Sequence, residues 1–455
     1  MFNKVLVANR GEIACRVIRA CDALGIGTVA VYSDADKEAP HVAMAGEAYH
    51  IGPAPAQQSY LNQDRLFEVA REAKVDAVHP GYGFLSENFI FAERCQAEGY
   101  AFVGPWHQSI RTMGDKAHAR MIVGEAGVPL IPGSEASRDV HDGIGEMAGG
   151  LGYPVIVKAA AGGGGIGMHV INGPEQLEAS LNKAHREAKA AFGDPLIYLE
   201  KYIPEPRHVE FQVFADKTGA AVHLFERECS IQRRYQKVVE ESPSPTLSAA
   251  TRERMGADAV KAAEAVCYVN AGTVEFLMDV DESYYFLEMN TRIQVEHPVT
   301  EMVTGLDLVQ MQLKVAAGEL VGLTQEQVIS RGAAIECRIY AEDPDQNFFP
   351  SPGKITAFEP PTGEGVRVDA GVITGYEVSY YYDPMIAKLI TWGVDRPQAI
   401  ARMRDALDAF VVEGITTNIG LHRRIMADPA FVDGETDTYY LPRLFANGTG
   451  RRSAL

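Results

Sequence analysis

The run Lys4–Ala8 is short and apolar. It is followed at once by a segment whose apolar residues Ile13, Val17, Cys21 and Leu24 recur at helical spacing, and then by a second apolar run, Thr28–Tyr32. Strand, helix and strand in so few residues commit the chain's opening to a crossover unit, because the intervening helix must cover a sheet to bury its apolar stripe. Asn9, with Glu12 three residues on, is predicted to start that helix as a capping box. A further strand, Val75–Val78, runs into the loop His79-Pro-Gly-Tyr-Gly-Phe84. The first hundred residues are therefore read as a doubly wound α/β unit with ligand loops at its strand ends, and with its edge near Gly114.

Beyond that edge the rhythm changes. A helical stretch from Asp115 to about Pro132 leads to strands Tyr153–Ala159 and Met168–Ile171 on either side of a glycine tract, the pattern of a small α+β lid. Alternation in 208–214 and 221–225 predicts a half-buried antiparallel sheet able to carry site residues on one face, and the strands around Glu275 and Glu288 continue it. After Arg331 come short strands with Pro and Gly turns, then a helix with Ile400, Met403, Leu407 and Phe410 on its core side. A chain of 455 residues, 46% apolar, has material for two or three domains.

The formal net charge of −19 argues against nucleic acid as a partner and requires that anionic ligands meet local basic clusters. Cys15, Cys21, Cys95, Cys229, Cys267 and Cys337 are dispersed without a CxxC pair, which suggests neither zinc nor a disulfide framework and fits a reducing, cytoplasmic setting. The apolar run at the N-terminus is too short for a signal peptide. No stretch approaches a membrane span, and no membrane partner is expected.

Chemistry concentrates in a few segments. Glu275 lies in one strand-like run and Glu288-Met-Asn-Thr-Arg-Ile-Gln-Val-Glu296 follows another. Two carboxylates and an amide oxygen are the hard ligands that Mg²⁺ prefers while it also holds nucleotide phosphates. Arg292 and Glu296 add a guanidinium and a candidate base, equipment for phosphoryl transfer to a small anion. The tract Gly162–Gly167 contains GxGxxG, but strand residues follow it where a dinucleotide fold needs a helix. A flap closing over phosphates, with Lys158 at the end of the preceding strand, suits it better than a plain hairpin turn. Arg227, Arg233, Arg234 and Lys237 cluster before the paired acids, either as a charged surface turn or as the cations that an acidic anion-binding protein must keep somewhere. Glu200-Lys-Tyr-Ile203 fits an adenine hinge.

In their order along the chain, these parts resemble biotin carboxylase, the ATP-grasp component of biotin-dependent carboxylases. The resemblance spans Met1 to Leu441 and rests on Ala8-Asn-Arg-Gly-Glu-Ile-Ala14, His79–Asn88, Met113-Gly-Asp-Lys116, the glycine flap, Gln232-Arg-Arg, Gln236–Glu241 and Glu288–Glu301. It implies an ATP-grasp fold of class α/β, with an N-terminal doubly wound domain (1–114), an ATP-grasp domain (115–330, lid about 132–202) and a C-terminal mixed α+β domain (331–446). It implies ATP contacts at Lys116, Lys158, Gly163, Gly164, Gly165, Glu200, Lys201, Ile203, His208, Gln232, Tyr235 and Leu277, and Mg²⁺ or Mn²⁺ at Glu275, Glu288 and Asn290. Arg292, Gln294 and Val295 would cradle bicarbonate, Glu296 would deprotonate it, Lys237 would face the transferring charge, and Arg338 would stabilise the biotin enolate.

Two positions depart from the family's habit. Tyr235 stands where relatives commonly carry His, and Ile166 where a flap Arg is frequent, so a somewhat altered ATP affinity is expected. The resemblance further implies a free-standing subunit that meets biotin on a separate carrier protein, passes the carboxyl to separate carboxyltransferase subunits, with acetyl-CoA as the default acceptor, and forms a homodimer with Arg16 and Arg367 at the contact. The rival readings are another ATP-grasp ligase and a nucleotide-binding regulatory subunit with a decayed site.

Overall fold

Strands β1 (Lys4–Val7), β2 (Gly27–Ser33), β3 (Glu47–Gly52), β4 (Ala77–His79) and β5 (Ala101–Phe102) pair in parallel in the order β3-β2-β1-β4-β5. The order reverses between β1 and β4, so the loops that leave their carboxyl ends, at Asn9–Arg10 and Pro80–Phe84, border the crevice where doubly wound sheets hold ligands. Helix α1 (Gly11–Ala23) buries Ile13, Ala14, Val17, Ile18 and Cys21 in a cluster with Val5 and Val7 of β1. Its start corrects the capping-box expectation. The N-cap is Arg10, without a side-chain cap. The Asn9 amide instead donates to the carbonyls of Pro80 and Tyr82 (2.6 and 2.7 Å), and Glu12 accepts from the Tyr82 hydroxyl and lies 3.2 Å from Lys388 Nζ. Partners distant in sequence outcompete the local cap.

The structure, a computed structural model, describes residues 1–134, 137, 143–159 and 167–449. Two units emerge: Met1–Gly127 with Arg207–Phe276 and Glu288–Leu455, and a smaller one of Val128–Pro206 with Leu277–Leu287. In the smaller unit β6 (Val155–Ala159), β7 (His169–Ile171) and β8 (Ile197–Lys201) are antiparallel in the order β7-β6-β8. The helix Pro174–Phe192 covers them with Leu181, Ala184 and Ala188. It has Pro in its first turn and Gly193 in the left-handed conformation just past its end, the asymmetry expected of helix termini.

The large sheet runs β13 (Tyr284–Asn290), β12 (Asn270–Met278), β9 (Arg207–Ala215), β10 (Ala221–Arg233), β11 (Gln236–Ser242) and β14 (Ala333–Tyr340), then Met385–Gly393 and Val366–Ala370. The sequence pattern suggested a half-buried sheet. That holds for 221–225, where Val222 and Leu224 are buried between partly exposed neighbours, but every residue of β9 after Arg207 is buried, as is all of β14. Alternation is still present, but it divides an apolar interior (Val209, Phe211, Val213) from a polar one (His208, Glu210, Gln212), since successive strand residues face opposite ways. The helix Arg396–Ala409 packs Ile400, Met403 and Leu407 on Ile335, Cys337 and Leu389, with Phe410 as its C-cap in the same cluster. Among the described residues, no helix is long and apolar enough to cross a membrane.

Candidate active site

The polar interior of the large sheet centres on one ammonium. Lys237, near the start of β11, sends its Nζ to Glu210 of β9 (2.5 Å), Glu275 of β12 (2.9 Å) and Glu296 beyond β13 (2.7 Å). Burial opposes the charge on Lys237, yet three carboxylates outweigh burial and hold it protonated well above its ordinary value. The acids respond in kind. Burial pushes Glu275 and Glu296 upward, but Lys237 with His208 pulls Glu275 well below the carboxylate range, and Lys237 with Arg338 lowers Glu296. Both are held as anions in an environment that would otherwise neutralise them.

Glu296 is clamped from its other side by Arg338 of β14 (Nη2 to Oε2, 2.9 Å), whose Nε donates to Glu240 of β11 (2.5 Å). Glu240 lies opposite Glu336 in the β11–β14 register, and the Glu336 carboxyl is buried without a hydrogen-bond partner among the described residues. Burial raises Glu240 to about 7 and Glu336 well above its ordinary value.

The loop 290–296 supplies the rest. Asn290 Nδ2 and Gln294 Nε2 both donate to Glu275 Oε1 (2.8 and 2.9 Å). Arg292 reaches back to Asn290 Oδ1 (2.9 Å), and Glu87, from the loop after β4, accepts from Arg292 Nε (2.9 Å) and from the Thr291 amide (3.1 Å). Lys388 donates to the Val295 carbonyl (2.8 Å), fixing that peptide from beneath. His208 lies 3.0 Å from Glu275 Oε2, and its Nδ1 meets Gln232 Nε2 (2.6 Å). Lys116 pairs with Glu288 at 3.0 Å on the exposed side of the cluster.

Of the sequence-predicted residues, Lys237, Glu275, Asn290, Arg292, Gln294, Glu296, Arg338, His208 and Gln232 thus join one hydrogen-bonded network, with Glu288 and Lys116 forming a separate pair. Tyr235 is 78% exposed and makes no part of that network. It and Arg234 form the β10–β11 turn, both with positive φ (+65° and +49°), the geometry of a tight hairpin that usually recruits Asn or Gly. No turn residue announces it in the sequence. In the smaller unit Lys158 bonds Glu200 (2.6 Å) and Lys201 bonds the Gly152 carbonyl (2.9 Å), while Ile203 is buried. Leu277 also belongs to that unit. Gly163, Gly164, Gly165 and Ile166 lie outside the described residues.

Sequence reasoning missed Glu210, Glu240, Glu87 and Lys388, and it counted Arg227 only as one of a cluster of cations, without its partners. Glu210 and Gln212 had a usable signal: polar residues at period two in a strand that also carries Val209, Phe211 and Val213 imply a second, polar interior. Arg16 and Arg367 converge on opposite oxygens of Glu301, at 2.8 and 2.7 Å.

Three family models match the chain: the biotin carboxylase N-terminal domain over residues 1–110, the carbamoyl-phosphate synthase L chain ATP-binding domain over 115–324, and the biotin carboxylase C-terminal domain over 336–443. The chain is 55% identical over 442 residues to biotin carboxylase 1 of Bacillus subtilis, covering 97% of this chain and 98% of that protein. It is 53% identical over 441 residues to a subunit of the pyruvate carboxylase of Methanothermobacter thermautotrophicus, covering 97% and 90%. The biotin carboxylase domain dimer of the 2-oxoglutarate carboxylase of Hydrogenobacter thermophilus, solved with MgADP, ADP and bicarbonate, matches with a TM-score of 0.90 at 48% identity over the whole of both chains. The fold is thus the α/β ATP-grasp architecture, opened by a doubly wound parallel sheet.

Proposed function

Because the chain belongs to the biotin carboxylase family of ATP-dependent ligases, we propose that it carries out the first half-reaction of a biotin-dependent carboxylase: ATP, bicarbonate and biotin borne on a separate carrier protein give carboxybiotin, ADP and phosphate. The observation that carries the reading is Glu296, a buried carboxylate kept ionised between Lys237 and Arg338.

Arg292, Gln294 and the Val295 amide cradle bicarbonate, the guanidinium matching a planar oxyanion. Glu296 takes its proton, freeing an oxygen to attack the γ-phosphorus of ATP and give carboxyphosphate and ADP. Lys237 balances the charge that moves during transfer. Carboxyphosphate divides into CO₂ and phosphate, the phosphate takes the proton from biotin N1′, and Arg338 stabilises the resulting enolate, which attacks CO₂.

Glu275, Glu288 and Asn290 carry oxygens suited to Mg²⁺ or Mn²⁺; in the structure the Asn290 oxygen accepts from Arg292 and Glu288 pairs with Lys116, so these groups would exchange those partners for the ion. A metal held there neutralises phosphate charge. ATP is assigned to Lys116, Lys158, Gly163, Gly164, Gly165, Glu200, Lys201, Ile203, His208, Gln232, Tyr235 and Leu277, and the domain limits to 1–114, 115–330 and 331–446.

The proposed setting is a cytoplasmic homodimer working with a biotin carboxyl carrier protein and separate carboxyltransferase subunits, with acetyl-CoA as the final acceptor. Pyruvate is the second reading, favoured by the 53% identity to a pyruvate carboxylase subunit. ADP release measured with Mg²⁺, ATP and free biotin is expected to rise when bicarbonate is added; equal release with and without it refutes the proposal. The proteins that co-purify with the chain decide the acceptor.

A further inference from the structure

Arg227 is the largest fully buried side chain among the described residues, and every one of its five N–H groups has an acceptor. Nε donates to Glu210 Oε1 (2.6 Å), Nη1 to Gln212 Oε1 (2.8 Å) and Thr300 Oγ1 (3.0 Å), and Nη2 to Thr273 Oγ1 (3.1 Å) and Gln294 Oε1 (2.5 Å). These partners come from β9, β12, the loop after β13 and the helix His297–Thr304.

A guanidinium has donors and no acceptor, so whichever end of the Gln294 amide faces Arg227 must be its oxygen. The amide's remaining end is then NH₂ by necessity, and in the structure that nitrogen is on the side of Glu275 (2.9 Å) and the predicted anion cradle. A side-chain amide free to flip would present oxygen to an oxyanion half of the time and repel it. Glu210, held by the same guanidinium, is also a partner of Lys237.

Resting on the proposed reading of the site, we infer that Arg227 is a positioning residue for bicarbonate: it locks the Gln294 amide with its N–H₂ toward the anion and, through Glu210, sets the place of Lys237. Arg227 touches no substrate itself. It converts an ambiguous amide into a fixed donor, as buried outer partners do for metal and anion sites.

The test uses the full chain with Mg²⁺, ATP, bicarbonate and free biotin. Arg227→Lys keeps the buried charge but cannot reach both Glu210 and Gln294 with a fork, so KM for bicarbonate is expected to rise about tenfold or more while KM for ATP moves less than about twofold. Gln294→Glu keeps an acceptor for Arg227 but has no N–H to offer and adds a negative charge, so it is expected to raise the same KM further, and the double variant to raise it by less than the two single effects combined, because Arg227→Lys acts through an amide that is no longer there. Equal changes in both KM values, an unchanged bicarbonate KM in folded Arg227→Lys, or additive effects in the double variant overturn the inference. Should Arg227→Lys fail to fold, Thr273→Val loosens the same Nη2, and a bicarbonate KM unchanged there overturns it equally. Absence of bicarbonate-dependent ADP release in the parent protein is a different failure, that of the proposed function.

Discussion

Two buried ionic clusters in the larger unit show opposite designs. Asp36, after β2, is a single carboxylate saturated by donors: Arg10 Nε and Nη2 (2.7 and 2.8 Å) and the hydroxyls of Tyr60 (2.6 Å) and Tyr376 (2.9 Å). Its charge is matched one to one. The cluster around Lys237 shares its charges: one ammonium contacts three carboxylates, of which Glu210 also meets Arg227 and Glu296 also meets Arg338. A matched pair in a low-dielectric interior is a fixture of the fold, whereas a network in which each buried carboxylate answers to more than one cation is an arrangement found where chemistry uses it. The difference separates an ionic pair that holds the N-terminal sheet from a network whose members can exchange partners with a ligand.

The sharpest way to break that contrast is to remove one acid from each. Glu296→Ala is expected to lower bicarbonate-dependent ADP release by at least about 10²-fold while leaving the thermal midpoint near that of the parent, because Lys237 retains two carboxylates. Near-normal turnover would remove Glu296 from the role of base. Asp36→Ala should do the reverse. Stripping Arg10 of its partner costs about 3 kcal/mol in urea unfolding, with the bicarbonate KM of the folded fraction unchanged. Loss of activity without loss of stability there would end the distinction.

Protonation sharpens the comparison further. Burial raises the Asp36 carboxyl, but Arg10 and Tyr60 lower it more, below its ordinary 3.8. Its stabilisation is therefore complete above that value and lost only as pH falls through it. Glu240 has the opposite sense. Raised to about 7 from 4.5 by burial, it keeps in the folded state a proton that the unfolded chain releases, so stability is lost as pH rises from 4.5 toward 7. Relative to the parent, Glu240→Gln should gain on the order of 1–3 kcal/mol in urea unfolding between about pH 5 and about pH 8, whereas Asp36→Asn should show a constant difference over that range. A flat profile for Glu240→Gln would mean the acid is ionised throughout. The smallest effect is reserved for Tyr235→His. A ring so exposed stands at the margin of the proposed nucleotide contacts, so KM for ATP should change by no more than about twofold, and a larger change would give this turn a central part in nucleotide binding.

The parallel opening sheet was legible because strand, helix and strand periods differ and follow one another within thirty residues, and the helix of Ile400, Met403 and Leu407 was legible by its spacing. The string 288–296 revealed acid, amide and arginine together because that segment is contiguous. Glu210 and Glu240 were not legible as site residues, since each looks in the sequence like one more charge on a strand, and Arg227 was legible as one of a cluster of cations but not as the partner of Glu210 and Gln294. The cap at Asn9 was misread because its amide finds the loop after β4, about seventy residues away.

Local order along the chain therefore determined which elements form, and contiguous motifs carried the family resemblance, for these depend on periodicity and on groups only a few bonds apart. Which charges meet was decided by the tertiary structure alone. Lys237 finds Glu210, Glu275 and Glu296 only because the strand order lays β12, β9 and β11 in one sheet beside the loop after β13, and the energy of a buried charge depends on neighbours that sequence distance does not reveal.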